Sequence, residues 1–423
     1  MVKFSLKRLM LCLALVLPGI ASSQDQVTVY IDADYTLTQH PAEAIEAGLL
    51  AAISSHPNAA NVRVITIDNR ANARRSNDTL ATARNDPNAV AVFGGMHSPH
   101  YLVNLEQINN SGMPLLLPWS AAGPLTRGAQ GDQNWVFRLS VDDQKAADHL
   151  YSVALERGCQ RPAAIAVDNP WGRYNMSELQ NAADARAQIL SEALVLHNTA
   201  GERTVTDAAE RIMQSRADCV VLVAGFELTS TIIAHLAKAD APPKIISHWG
   251  ILGGRITERV DFDSIMATDL EVLGTCGLHQ YASRSTYHAA AERHAPETMH
   301  PREHPAPHGF YHAFDLGRLF LRALDHARLD AQWDQGIDAQ RDAIRRALHN
   351  LEGTYEGLIA DYRHPFQPVT PQTPDGHEAL DREDLCMTRV ARNGNLEPVF
   401  HDHDPTAPGQ LDDAQLYHDL GHD

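Results

Sequence analysis

The chain is poor in cysteine, in aromatic residues and in basic charge. It holds 5 Cys, 6% Phe, Trp and Tyr together, and 35 Lys and Arg against 53 Asp and Glu in 423 residues. A formal charge of -18 excludes nucleic acid and anionic membrane as partners, because both repel such a chain. Beyond the N-terminus no stretch holds the ~20 consecutive apolar residues of a membrane-spanning helix. The G-x-S-x-G nucleophile elbow, the phosphate-binding G-x-x-x-x-G-K-[ST] loop, H-E-x-x-H and C-x-x-C are all missing. Gly94-Gly95 is too short for a dinucleotide fingerprint, and the adjacency of His97 and Ser98 makes no base–nucleophile pair. The chain therefore reads as a protein without catalysis, cofactor or metal.

The termini are distinctive. Lys3, Lys7 and Arg8 precede the apolar run 9–17, and Pro18-Gly19-Ile20-Ala21-Ser22-Ser23 follows it. A basic segment, a short apolar core and small residues make a secretory signal peptide, cut after Ala21 or Ser23. Cys12 has no small residues before it and is not a lipid-anchor site. Removing residues 1–23 leaves a charge of roughly -21. Four cysteines remain, Cys159, Cys219, Cys276 and Cys386, and an oxidising compartment lets them pair in three ways. Their places near strand-like runs favour Cys159–Cys219 and Cys276–Cys386, with buried free thiols as the alternative. Residues 401–423 are acidic, His-rich and aperiodic, as expected of a loosely packed tail.

Between the termini the pattern is regular. Apolar runs at 27–31, 62–67, 90–93, 115–117 and 135–139 alternate with helical periodicity at 41–53, 71–84 and 101–109. The alternation then begins again: helices at 142–156, 173–190, 205–214 and 227–237 flank strands at 163–167, 193–196, 219–223 and 244–246. Strands alternating with helices imply parallel sheets covered on both faces, so the fold class is α/β with two doubly wound, Rossmann-like lobes. The remainder starts no third copy. Residues 281–308 read as a His- and Pro-rich surface loop, 309–326 and 342–351 as helices, and 355–362 and 385–390 as strands. His288, His294, His300, His304, His308 and His312, with His401, His403, His418 and His422 in the tail, read as solvated surface residues.

The segment 88–126 carries the most chemistry. Val90 to Phe93 ends in Gly94-Gly95, with Ser98 in the turn beyond, and Leu115 to Leu117 ends in Pro118-Trp119-Ser120-Ala121-Ala122. Small residues let backbone N–H groups approach a ligand, and serine hydroxyls add donors. In open parallel sheets ligands bind beyond the carboxyl ends of the strands.

Six local matches in order give the chain its resemblance: AVFGG at 91–95, GMPLLLPWSAAGPLT at 112–126, VFRLSVDDQKAA at 136–147, AIAVDNPWGRY at 164–174, CVVLVAGF at 219–226 and GFYHAFDLGRLFLRAL at 309–324. Together they resemble the type I periplasmic solute-binding proteins, in the branch of leucine/isoleucine/valine-binding-like receptors of ABC importers, over roughly residues 26–400. The resemblance implies two lobes joined by a three-crossing hinge, with crossings near Ser140, near Leu278 and after the 342–351 helix. It divides the chain into a signal peptide (1–23), lobe 1 (24–140 and 279–345), lobe 2 (141–278), C-terminal strands completing hinge and lobe 2 (346–400) and the tail (401–423). It implies a monomeric periplasmic receptor that binds an amino acid or related small polar ligand by lobe closure and hands it to an ABC permease of the inner membrane. A ligand-sensing receptor for a membrane signalling partner is the alternative, and a hydrolase or metal-handling protein is the rival from another class.

Carried over position by position, the family's pocket falls on Ser98, on the turn Ser120-Ala121-Ala122, on Trp171, on Phe226 and on Trp249. Asp32 or Asp34 could supply a charge from the other lobe. Two positions depart from the pattern. Ala122 stands where the turn usually has Thr, and Trp249 where an acid usually meets the ligand ammonium. A buried ammonium without a carboxylate is costly. The departures point towards an aromatic acid, an amide or a quaternary amine, with Tyr35, Trp171, Phe226 and Trp249 as an aromatic box.

Overall fold

The computed structural model describes residues 26–129, 131–297 and 299–400. The expected signal peptide and acidic tail lie outside them. No described helix is long and apolar enough to cross a membrane.

The first half builds β1 (Val27–Ala33), α1 (Gln39–Ser54), β2 (Val62–Asp68), α2 (Ala73–Asn85), β3 (Ala89–Gly94), α3 (Pro99–Val103), α4 (Leu105–Ser111), β4 (Leu115–Leu117), α5 (Pro124–Arg127) and β5 (Val136–Arg138). The five strands are parallel, in the order β2-β1-β3-β4-β5. The four with continuous apolar runs are wholly buried, whereas edge strand β2 is only partly covered. The helix expected over 101–109 is broken at Asn104, whose side-chain amide donates to Ala73 O and His100 O, both at 2.8 Å. Such local capture of carbonyls competes with the helical ladder.

The second half repeats the plan with α6 (Asp143–Glu156), β6 (Pro162–Val167), α7 (Pro170–Asp184), β7 (Ala193–Leu196), α8 (Glu202–Gln214), β8 (Cys219–Val223), α9 (Phe226–Leu236), β9 (Lys244–Ser247), α10 (Phe262–Ala267) and β10 (Glu271–Thr275). Its parallel strands run β7-β6-β8-β9-β10, the same order as in the first sheet. Beyond them come α11 (Ser285–His294), α12 (Pro307–Ala327), α13 (Ile337–His349), the hairpin β11 (Thr354–Glu356) and β12 (Asp361–Arg363), and β13 (Leu385–Val390) and β14 (Leu396–Pro398), which extend the second sheet antiparallel from β10. The single strand expected over 355–362 is this hairpin. Cys159 pairs with Cys219 (Cα–Cα 5.8 Å) and Cys276 with Cys386 (5.0 Å), so both crosslinks lie in the second sheet.

Helix α12 returns to the first lobe and packs along α1. The approach is close enough that a Cβ on Gly48 would lie 2.3 Å from Phe310 O, and one on Gly317 would lie 2.8 Å from the Ala52 methyl. Buried Asp315 on α12 then accepts Leu358 N, Ile359 N and the Tyr362 hydroxyl, which pins the hairpin. The chain continues beside β5: Phe366 and His377 pack on Phe137, Arg138 N donates to His377 O, and Ala379 N donates to Arg138 O. These contacts divide the 346–400 stretch, with the part up to about Ala379 against the first sheet and β13–β14 on the second.

The reading of 281–308 as a surface loop of solvated histidines holds only for His300, which is exposed, and partly for half-buried His294 and His304. Residues 285–294 form α11, and His288, His308 and His312 are buried. His308 and His312 face Trp119 with ring centroids 6.5 and 5.9 Å away, and His312 Nε2 meets Thr275 Oγ1 at 2.6 Å. A neutral imidazole serves as an aromatic core residue in the first half of α12, which is wholly buried.

Burial pushes His100, His308 and His377 down to about 3, and His149 and His288 to about 4. These folded values lie below the unfolded value of ~6.5, so the unfolded chain binds more protons once the pH drops below it. The stability these groups contribute is present above pH ~6.5 and is lost as the pH falls towards 3–4. Asp315 and Asp384, pushed up to about 6 by burial, work in the opposite direction between pH ~6 and ~4, but they are fewer. The melting temperature should fall by at least ~5 °C between pH 7.5 and 5.0. Calorimetry giving an equal or higher value at pH 5.0 would refute this account.

Candidate functional site

In a 2-1-3-4-5 sheet the strand order reverses between the first and third strands, and ligands lie beyond the carboxyl ends there. In the first lobe this switch point lies between Asp32–Asp34 after β1 and Gly94–Ser98 after β3. In the second it lies between Asp168–Trp171 after β6 and Ala224–Phe226 after β8. The two edges face each other: a Cβ on Gly253, after β9, would sit 3.1 Å from Phe226 Cβ and 3.4 Å from Thr38 Cγ2, and one on Gly123 would sit 2.6 Å from the Tyr174 hydroxyl.

On the first lobe, Ser98 and Ser120 staple two loops together. Ser98 Oγ accepts from Ala122 N at 3.2 Å, and Ser120 Oγ donates to Gly95 O at 2.8 Å. The Ser98 hydroxyl proton and the Ala121 N–H have no partner among the described residues, although both residues are buried. The turn thus keeps two unpaired donors. Asp34 is occupied locally: Oδ1 accepts Thr36 N (3.1 Å) and Leu37 N (2.9 Å), and Oδ2 accepts the Thr38 hydroxyl (3.0 Å). Thr38 Oγ1 also meets His97 Nε2 at 3.0 Å. Burial lowers the His97 pKa despite the neighbouring Asp34 carboxylate, so the ring is neutral near pH 7. Asp32 turns into the lobe, bonded to Ser76 Oγ and Asn69 Nδ2, and burial raises its pKa.

Beneath the Ser120-Ala121-Ala122 turn lies a residue that sequence reasoning missed. Arg138, the last residue of β5, is completely buried. Nη1 donates to Ala121 O (2.8 Å) and Ala122 O (3.0 Å), while Nη2 meets Asp142 Oδ2 (3.1 Å) and Glu378 Oε1 (2.8 Å). Asp142 also caps α6 by accepting Gln144 N at 2.8 Å. Glu378 is further held by Arg127, with Nε to Oε1 at 2.8 Å and Nη2 to Oε2 at 3.0 Å. Burial alone would raise the Glu378 carboxyl, but Arg138 and Arg127 bring it below the usual carboxylate range. The signal was an Arg closing an apolar strand, followed by two acids, in Val136-Phe137-Arg138-Leu139-Ser140-Val141-Asp142-Asp143.

On the second lobe, Asn169 caps α7 by accepting Gly172 N at 2.9 Å, which sets Trp171 in the first turn. Trp171 is half-buried, packs against the apolar clusters of both lobes and lies edge-on to His248 at 5.2 Å. Gly250 leaves room for that ring, since a Cβ there would lie 2.7 Å from Trp171 Cη2. Trp249 is buried between His248 (4.7 Å) and His312 (6.4 Å). Phe226 is half-buried over Gly253-Gly254. The four-sided aromatic box does not form. Trp171 and Trp249 share His248, but Tyr35 lies beside Glu46 and Thr66, where burial pushes its hydroxyl pKa up.

The second feature missed from sequence is a buried pair. His248 Nδ1 accepts Gly250 N at 3.3 Å, which leaves Nε2–H to donate to Asp143 Oδ1 at 3.0 Å. Both side chains are wholly buried, and Asp143 Oδ2 has no partner among the described residues. Asp143 N donates to Ala121 O at 2.9 Å, so this carboxylate stands directly beside the donor turn of the first lobe. Trp249 brings no acid to this edge, but Asp143 sets a buried carboxylate against its neighbour His248.

The periplasmic binding protein family model matches residues 38–379, most of the chain, and the chain belongs to that family. Solved structures show the same two-lobed fold. A periplasmic binding protein type 1 from Bordetella pertussis Tohama I superposes with a TM-score of 0.71 at 13% identity, over 89% of this chain and 100% of that one. A leucine-binding protein from Thermotoga maritima gives 0.70 at 12%, over 88% and 98%. An ABC-transporter solute-binding protein from R. palustris, solved in complex with 4-hydroxybenzoate, gives 0.69 at 12%, over 89% and 96%. No curated protein matches the sequence.

The charged cluster makes a prediction. Glu378→Gln leaves Arg138 buried with one anionic partner fewer and should cost ~3–5 kcal/mol of stability in urea unfolding. A loss under ~1 kcal/mol would mean that Asp142 alone suffices to hold Arg138.

Proposed function

We propose that the chain is the extracytoplasmic receptor of an ABC importer. It captures an amino acid or a related small polar organic molecule by lobe closure and delivers it to a permease of the inner membrane. Family membership and the N-terminal export pattern support this setting. The observation that carries the ligand class is the meeting of unpaired groups of opposite character at the lobe junction. The Ser98 hydroxyl and Ala121 N–H are donors suited to a carboxylate, and Asp143 Oδ2, beside them, is an acceptor suited to an ammonium or amide N–H. In a site shielded from water such groups bind strongly and reject ligands that leave them unpaired. Trp171 offers an apolar face to the rest of the ligand.

A thermal-shift screen of amino acids, amides, aromatic acids and quaternary amines tests this reading. Ligands carrying both a carboxylate and a nitrogen donor should raise the melting temperature, and Asp143→Asn should abolish that response. A response confined to acids without nitrogen would remove Asp143 from the site and return the ligand to the aromatic-acid class. Trp171→Ala should weaken binding at least ~tenfold, read by calorimetry, and unchanged affinity would take Trp171 out of the contact surface.

A further inference from the structure

An open cavity of about 670 Å³ lies at the rim between the lobes, away from Ser98, Trp171 and Asp143. One wall is α1, with His40, Glu43 and Glu46; the opposite wall is the segment leading into α12, with Glu303 and His304; Glu258 closes the second-lobe side. His40 and Glu43 are three residues apart on the helix, so their side chains share a face. His304 is set between the 3-10 turn Pro301–Glu303 and Pro305, which restrict the backbone on both sides of it. One ligand-capable atom from each of His40, Glu43 and His304 lies within 4.8 Å of the other two. The two imidazoles stand edge to face with centroids 5.5 Å apart, and His40 Nδ1 lies 4.0 Å from Glu43 Oε2.

Ligand atoms ~2.0–2.2 Å from a common zinc ion lie little more than 3 Å apart, so small side-chain rotations would close this set on a cation. The electrostatics favour one. Four carboxylates line the cavity, and its one guanidinium, that of Arg255, is engaged with Glu303 O (3.1 Å), Asn393 O (2.9 Å) and Asn395 Oδ1 (2.9 Å). His304 Nδ1 accepts Ala306 N at 3.1 Å, so capture at Nε2 exchanges that hydrogen bond for a metal bond.

We propose that His40, Glu43 and His304 form a binding site for a zinc-class divalent cation, separate from the solute site. Two imidazoles and one carboxylate suit Zn²⁺ and its neighbours, whereas Ca²⁺ and Mg²⁺ prefer all-oxygen sets. The bound ion would tie α1 to the segment leading into α12, with its remaining positions open to water or to a neighbouring carboxylate.

The test is calorimetric titration of Zn²⁺ into metal-free full-length protein and into His40→Ala, His304→Ala and Glu43→Gln. The zinc stoichiometry should drop by one in each histidine variant, and Glu43→Gln should weaken that site at least ~tenfold. Zinc held by His401, His403, His418 or His422 would persist in all three variants and so subtracts out. Co²⁺ should give a visible d–d band that the same substitutions remove. Should a histidine variant fold poorly, Glu43→Gln and the Co²⁺ spectrum decide. Equal stoichiometry and affinity in the wild type and all variants, or no zinc bound, overturns the proposal. Solute binding measured with chelator present reports on the other site alone, so either reading can fail without the other.

Discussion

One buried guanidinium holds the Ser120-Ala121-Ala122 turn and the lobe junction in register. Arg138 has no solvent contact, and a charge in that position is tolerable only when counter-charges and carbonyls meet it. The planar fork of arginine meets these four acceptors from two nitrogens, one more than the three N–H donors of a lysine ammonium could serve. Two acceptors are the carbonyls of Ala121 and Ala122, so the donor turn is held from below. The others are Asp142, which starts α6 and thus the second lobe, and Glu378, which sits where the chain last leaves the first sheet. The shape of the binding turn and the route of the chain between lobes therefore rest on the same charges.

Around that centre the lobes differ in how they are braced. Both disulfides belong to the second sheet. Cys159–Cys219 clips the start of β8 to the residues before β6. Cys276–Cys386 joins the end of β10 to β13, close to two places where the chain passes between lobes. A crosslink there holds β10 and β13 side by side. The first lobe is braced by packing instead, through the glycine-lined contact of α1 with α12 and the Asp315 bonds to the hairpin.

Much of the first 250 residues was legible because it depends on local pattern. Short, largely apolar runs separated by amphipathic stretches can be satisfied in few ways, and the parallel sheets follow. The turns after the strands were legible as well: Gly94-Gly95, Ser98 and Ser120 stand at strand ends of the first sheet and Trp171 follows a strand of the second, and the fold sets these edges face to face. Less was readable where a residue type has two common fates. His288, His308 and His312 looked solvated in a Pro-rich segment, yet they are core groups: the first half of α12 is buried, and His288 packs on its Tyr311. Tyr35, counted with the aromatic box, turns towards Glu46.

By itself the sequence determined the α/β class and the doubling of the lobe, since each depends on neighbours within a few residues. Tertiary structure alone decided which groups meet. Arg138 and Glu378 are 240 residues apart, Asp143 and His248 are 105 apart, and His40 and His304 are 264 apart. No local period relates such positions. Charge pairing, unpaired donors and candidate ligand sets arise only when the folded chain brings them within a few ångströms, where burial removes the water that would otherwise satisfy each of them separately.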